Sequence, residues 1–263
     1  MPADTINILF LGDIIGQPGN RAVFFNLKNL IKKYNADFTV VNGENSAEGF
    51  GILPAAADQM FQSGADVITT GNHVWQKAEI YPYLDEKEAI LRPANFPAGV
   101  PGHGSCIVEK HGVKLAVMNL QGRENMSTID CPFRCGRELV KKLKKETPLV
   151  LVDFHAESSS EKEALACCLD GQVSAVVGTH THVQTADERI LKGGTAYITD
   201  VGMTGPEDSV IGTIKEISIE RSLTQMPLKM EIADLPVTFC GVLIKADAQS
   251  GKALSIERIA VPV

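Results

Sequence analysis

The apolar patterning starts with INILFLGD (6–13), passes into PGNRAVFFNLKNLIKKYN and returns to FTVVNGEN (38–45). Val23, Leu27, Leu30, Ile31 and Tyr34 recur at helical spacing, and Pro18 stands near the start of that stretch, where a missing N–H costs little. The flanking runs are short, β-branched and stopped by glycine, so the unit reads strand, helix, strand. A second helix is predicted from about Pro54 to Ser63, then a strand over 65–72 (ADVITTGN), then short helix and loop in AEIYPYLDEKE. Residues 92–105, RPANFPAGVPGHGS, carry three prolines and three glycines and form no regular element, which marks a long surface loop.

Further along, KHGVK reads as a hairpin turn and a helix is predicted near Gly136 to Lys145, followed by the strand PLVLVDFH (148–155). A capping pattern of Ser159 or Ser160 with Glu163 opens a helix to about Leu169. After it come SAVVGTHTHV (174–183), TAYITDVG (195–202) and two late strands, VTFCGVLIKAD and KALSIERIAV. Strands alternate with helices early, and strands dominate the last third. The fold expected is α/β, with two mixed β-sheets packed as a sandwich and helices outside. No repeat, low-complexity tract or linker divides the chain, so residues 1–263 are read as one domain.

Composition bounds the function. With 44% hydrophobic residues the 263-residue chain can bury a large core. No apolar run approaches the roughly 18 residues that span a bilayer. The start MPADTINILFLGD lacks a basic flank before its apolar stretch, so a cytoplasmic location without a membrane partner is expected. A formal net charge of -7 argues against a nucleic-acid footprint, which needs clustered Lys and Arg. The run KKLKK (141–145) reads as a solvated helix face, and the patterning leaves open whether copies associate as a homo-oligomer. Six cysteines show no framework spacing; Cys131 and Cys135 have no second matching pair to complete a zinc site, and reduced thiols are expected.

Chemistry-bearing residues recur at one address. Asp13 follows ILFLG, Glu44 and Asn45 follow TVVNG, Asn72 and His73 follow ITTG, His155 follows LVLVDF, and His180 and His182 follow AVVGT. A glycine directly precedes Asp13, Glu44 and Asn72, and another lies two before His180, which permits sharp turns and close backbone approach. Singly, each residue has a plainer reading: Asp13 or Asn72 as a helix cap, Asn45 in a turn, His155 as a core or surface histidine. Jointly, five strand ends delivering such residues to one rim point to a ligand crevice beyond the strands, and here to a metal site. If 174–183 is extended throughout, His180 and His182 share a face, with Thr181 opposed.

Three histidines, one or two carboxylates and one or two amides suit Fe, Mn or Zn rather than a thiophilic or all-oxygen calcium site. Seven candidate ligands exceed the need of one tetrahedral ion. Two ions about 3.5 to 4 Å apart, divalent or mixed-valence, would use them all, and such a pair favours attack on phosphorus. The reaction expected is phosphoester hydrolysis on a small phosphodiester. Adjacent residues in a turn point to different sides, so Asn72 can face metal while His73 faces substrate as the general acid; the nucleophile expected is a hydroxide bridging the ions. Asn95 and Arg123 are candidate substrate contacts, whereas His103 and His111 fall in a loop and a turn and read as surface residues.

The ordered series GD (12–13), NGEN (42–45), TGNH (70–73), FH (154–155) and GTHTH (178–182) resembles the calcineurin-like metallophosphoesterase superfamily. The phrases LGDIIGQPG, NGENSAEGFG, GNHVW, RPANFP and TDVGMTGP resemble its YmdB-like branch over nearly the whole length. The resemblance implies a two-sheet sandwich flanked by helices and a dinuclear centre that hydrolyses phosphodiesters, with cyclic nucleotides (cAMP-type) as substrates. It implies that Asp13, Asn45 and His182 serve one ion, that Asn72, His155 and His180 serve the other, and that Glu44 bridges. The chain departs from the broad superfamily in carrying Ile15 in place of a coordinating histidine and Glu44 in place of a bridging aspartate. Loss of an imidazole and gain of oxygen donors favours Fe or Mn over Zn.

Two rival readings differ in kind. An amidohydrolase-type barrel also uses a His-x-His pair, but at its first strand and with eight strand and helix repeats, which this chain lacks. A regulatory protein whose metal site serves partner binding would not need the acid at His73.

Overall fold

The computed structural model describes residues 5–263. In chain order the elements are β1 (Thr5–Leu11), β2 (Asp13–Ile14), α1 (Gly16–Tyr34), β3 (Phe38–Asn42), α2 (Pro54–Gln62), β4 (Val67–Thr69), α3 (Ile80–Glu86) and β5 (Ile90–Leu91). Then come β6 (Ser105–Lys110), β7 (Val113–Gln121), α4 (Pro132–Leu143), β8 (Val150–His155), α5 (Ser159–Leu169), β9 (Ala175–Thr179), β10 (Arg189–Ile190) and β11 (Ala196–Ile198). The last are β12 (Met203–Pro206), α6 (Lys215–Thr224), β13 (Val237–Asp247) and β14 (Ala253–Pro262).

The strands form two sheets. The first runs β2-β12-β13-β1-β3-β4-β5, with β14 also on β13; the second runs β10-β11-β9-β8-β7-β6. Strands β1, β3, β4 and β5 are parallel, as are β7, β8, β9 and β11, while β13, β6 and β10 pair antiparallel with their neighbours. The sandwich of mixed sheets flanked by helices expected from the sequence is what the structure shows.

Strand period 2 explains the layers. Along β1, Ile6, Ile8 and Phe10 enter the core between the sheets, and Leu9 and Leu11 enter the core beneath α1 and α2. On β8, Leu151 faces the inter-sheet core, whereas Val150, Val152 and Phe154 pack with Val140 of α4 and Leu165 of α5. Strands buried on both faces read as unbroken apolar runs, and each such side chain contributes about 1.5–3 kcal/mol by leaving water.

At the carboxyl ends the inter-sheet core turns polar. Asp153 of β8 is fully buried and accepts hydrogen bonds from Asn42 of β3 (3.0 Å) and Thr69 of β4, so it ties one sheet to the other directly below the site.

Several expectations are corrected. The strand at 174–183 ends at Thr179; His180 and His182 have φ of 99° and 65°, so they occupy a turn rather than an extended segment. The α5 cap is Ser158, whose hydroxyl accepts from Glu161 N at 3.2 Å, in place of the Ser159 or Ser160 with Glu163 pattern. Helix α4 begins at Pro132, four residues before the predicted start at Gly136, because Pro132 supplies a ready-made first turn. The KHGVK hairpin is as expected, with His111 and Gly112 at φ 52° and 77°. In KKLKK the four lysines are exposed and Leu143 is buried, as a solvated helix face requires. No helix among the described residues is long and apolar enough to cross a membrane.

Candidate metal centre

The carboxyl ends of β1, β3, β4, β8 and β9 bring Asp13, Glu44, Asn45, Asn72, His155, His180 and His182 together. His155 Nε2 lies 3.1 Å from Glu44 Oε1, from Asn72 Oδ1 and from His180 Nδ1. Glu44, His155 and His180 each offer a donor atom within 4.8 Å of the others. Beside them, Asn45 Nδ2 lies 3.2 Å from Asp13 Oδ1 and 3.1 Å from His182 Nε2, and His182 Nε2 is 3.7 Å from Asp13 Oδ1. Glu44 and His73 stand between the two groups, with His73 Nδ1 3.0 Å from Glu44 Oε1 and 2.8 Å from Asn45 Oδ1.

Each of the three inner histidines has its outward nitrogen committed elsewhere. His155 Nδ1 meets Thr179 Oγ1 at 2.9 Å, and that hydroxyl donates to Asp153 at 2.7 Å. His180 Nε2 meets Glu157 Oε2 at 3.1 Å, and His182 Nδ1 donates to the Ile211 carbonyl at 2.9 Å. Acceptors on the outer nitrogen fix the tautomer and leave a lone pair on the inner nitrogen, which is how proteins prepare imidazole for a metal. The turn that carries His180 and His182 is braced from behind. Asp200 accepts from Thr181 N (3.1 Å) and Thr181 Oγ1 (2.9 Å) and pairs with the buried Lys162 at 2.7 Å.

Whether cations fit can be judged from Glu44. Its side chain is fully buried, and neither carboxylate oxygen has a hydrogen-bond partner among the described residues; the imidazole nitrogens near Oε1 lack hydrogen-bond geometry. An unsatisfied buried carboxylate costs several kcal/mol, so a positive partner is the natural complement. Gly71 gives the same answer sterically. A Cβ there would lie 1.9 Å from Glu44 Oε2 and 2.4 Å from His155 Nε2, so only glycine lets the backbone pass under the carboxylate. Gly71→Ala is therefore expected to drive Glu44 and His155 apart and to lower bound metal about tenfold or more, read by elemental analysis. Metal content equal to that of the wild type would refute this account of the cradle.

The electrostatics agree. Burial pushes the Glu44 carboxyl up, but the imidazoles of His155 and His73 outweigh it and hold the group well below the usual carboxylate range. Burial pushes His155 down, yet Glu44, with Asp13 and Asp153, brings its imidazole up to about 9. Burial and the neighbouring His155 push His180 down to about 3, so its ring is neutral and its lone pair available. Burial raises the Asp13 carboxyl against the pull of His182 and His155.

A proton on His155 thus competes with an ion. Apparent ion affinity is expected to climb with pH, by up to about tenfold per unit, and to level off above about 9. Stability of the ion-free protein should move oppositely. A folded-state pKa above the ordinary histidine value of about 6.5 stabilises fully below that value, and the contribution is lost as pH rises through about 9. Thermal midpoints from pH 6 to 10, taken with EDTA and with Mn, check both signs.

Among the proposed ligands Asn45 needs one adjustment: its amide nitrogen faces Asp13 and His182, so coordination through Oδ1 requires a half-turn of the amide. His73 reaches the wall of a cavity of about 340 Å³, together with Phe50, His180, His182, Arg221 and Ile232. Asn95 and Arg123 lie outside that wall. Asn95 is buried and uses its amide on the Gln121 and Asp130 carbonyls and the Gln121 N–H, while Arg123 reaches toward Cys131 and gives its N–H to Glu161. The six cysteines are free thiols, and Cys131 and Cys135 stand apart from the site. The sequence reading missed Arg221, Met230 and Ile232, which reach the cavity from α6 and the loop after it.

Known proteins resemble this chain over nearly its whole length. The chain is 49% identical over 256 residues to a 2',3'-cyclic-nucleotide 2'-phosphodiesterase of Bacillus subtilis (strain 168), covering 97% of both chains. It superposes on the crystal structure of a novel phosphatase from Mycoplasma pneumoniae with a TM-score of 0.91 at 36% identity, covering 98% of this chain and 94% of that one. For the crystal structure of a hypothetical protein from Thermus thermophilus the TM-score is 0.90 at 38% identity, covering 98% and 99%. A family model for YmdB-like proteins matches residues 9–259, and the chain belongs to that family.

Proposed function

We propose that the chain is a metal-dependent phosphodiesterase that opens small phosphodiesters, with 2',3'-cyclic nucleotides as the leading substrate class. The convergence of six further donor residues, Asp13, Asn45, Asn72, His155, His180 and His182, around the unsatisfied Glu44 carboxylate carries this reading. The activity of the Bacillus subtilis relative supports the choice of ester. Asp13, Asn45 and His182 would hold one ion, Asn72, His155 and His180 a second, and Glu44 both; oxygen donors and the absence of thiolates favour Fe or Mn over Zn. Bound there, two divalent ions supply Lewis acidity toward phosphoryl oxygens and lower the pKa of water.

The chain's own residues do the rest. His73 Nδ1 lies 3.0 Å from the Glu44 carboxylate, which holds the ring by charge, and its Nε2 makes no hydrogen bond among the described residues. As the imidazolium, His73 carries a proton on Nε2. When the P–O bond to the leaving oxygen breaks, that proton passes to the oxygen and neutral imidazole remains. Arg221, the single Lys or Arg in the cavity wall, supplies positive charge for the substrate anion.

The test is an anaerobic preparation loaded with Mn, analysed for elements and offered 2',3'-cyclic nucleotides, 3',5'-cyclic nucleotides and linear diesters, with products followed by phosphorus NMR. Two ions per chain and opening of the 2',3'-cyclic ring to one monoester isomer are expected. Full ion content with no diester opened would end the proposal.

A further inference from the structure

Phe50 sits where the proposed reaction has assigned nothing. Its ring centroid is 5.0 Å from that of His73, edge to face at 69°, and 46% of the residue is exposed. The loop displays it by design of the backbone: Gly49 and Gly51, at φ of 86° and 80°, bracket it, and its N–H is tied to the Ala47 carbonyl at 3.0 Å. Phe50 also stands between two spaces. It lines the cavity that holds His73 and, with Met230 and Ile232, shares a wall with an adjoining groove of about 750 Å³. That volume is within the range of sites that enclose small organic ligands.

The groove's chemistry narrows the ligand. Its wall carries three cations, Arg21, Lys77 and Lys229, and three carboxylates, Glu48, Glu231 and Asp234, and none of the six makes an ion pair among the described residues. A wall of balanced sign around an aromatic and aliphatic floor suits a neutral, planar, hydrogen-bonding group rather than a second phosphate.

We infer that Phe50 is the stacking platform of a base subsite, and that the groove beyond it takes the nucleobase of the substrate. The inference rests on the proposed role of His73. A general acid must lie within hydrogen-bond reach of the leaving oxygen, and in a cyclic nucleotide that oxygen belongs to the ribose that bears the base. The base is therefore held within a few ångströms of the ring that packs on His73. Every nucleobase offers a π face, so the subsite favours nucleotides over base-free esters while discriminating weakly among bases.

Two readouts separate this inference from the phosphodiesterase reading. The first is binding to the Mn-loaded protein of a nucleoside 3'-monophosphate against inorganic phosphate. The second is kcat/KM for a 2',3'-cyclic nucleotide against methyl riboside 2',3'-cyclic phosphate, which has the same ester ring and no base. In Phe50→Ala both ratios should fall about tenfold or more, and Phe50→Trp should restore them. A protein that binds the nucleoside monophosphate over phosphate through Phe50 yet opens no diester would retain the subsite and refute the activity. Wild-type ratios near one, or ratios unmoved in Phe50→Ala, would overturn the subsite. An equal loss on both esters would also overturn it and assign Phe50 to the placement of His73.

Discussion

Glu44→Gln is expected to release both ions and to lower diester turnover by about 10³-fold or more, the scale of losing a preorganised charge at a reaction centre. Glutamine keeps the shape of the side chain but removes the charge that faces His155 at 3.1 Å and His73 at 3.0 Å. Because the carboxylate is the charge that brings the buried His155 imidazole up to about 9, the substitution should also cost the ion-free fold this ion pair, and that cost should fade as pH rises through about 9. The paired result, metal lost at every pH and the EDTA-treated thermal midpoint lowered only below about pH 9, separates a ligand from a residue that supports the core whatever the pH. A Glu44→Gln protein that retained two ions per chain would remove the bridge from the scheme.

The second large effect is expected at His73. His73→Ala should keep two ions per chain and lose about 10²- to 10⁴-fold in kcat on a cyclic nucleotide, the range associated with a general acid. Its dependence on the leaving group is the sharper readout. An ester that expels p-nitrophenolate needs no proton at the leaving oxygen, so the variant should lose far less on bis(p-nitrophenyl) phosphate. Equal losses on both substrates, or loss of an ion, would make His73 a ligand or a positioning group.

Particular residues show how much of this was legible in the sequence. The ligand address could be read because β1, β3, β4, β8 and β9 are almost wholly buried apolar runs, against which the polar residues near their carboxyl ends stand out. The outer partners could not be read. Thr179, Asp153 and Glu157 are ordinary residue types, and only the folded register of β8 against β9 brings Thr179 between His155 and Asp153. The His180–His182 segment defeated the strand pattern because its apolar lead-in stops at Thr179 and the turn is set by Asp200, 20 residues beyond His180. Helix α6 escaped notice because little of it is buried: Ile219 and Leu223 are exposed, so its apolar residues do not mark an inward face. Its position depends instead on backbone hydrogen bonds at its ends, Ile214 N to Glu231 O and Ala233 N to Gly212 O. For Asn95, no local pattern distinguishes an amide that meets substrate from one that fastens a loop to β7.

The backbone of His180 and His182 lies in the left-handed region that side-chain-bearing residues avoid, at a cost on the order of 1–3 kcal/mol each. Glycine would relax either position but delete an imidazole, so the fold keeps a conformational debt at its working edge. Selection for heat resistance alone would erode this edge first, exchanging turnover for rigidity.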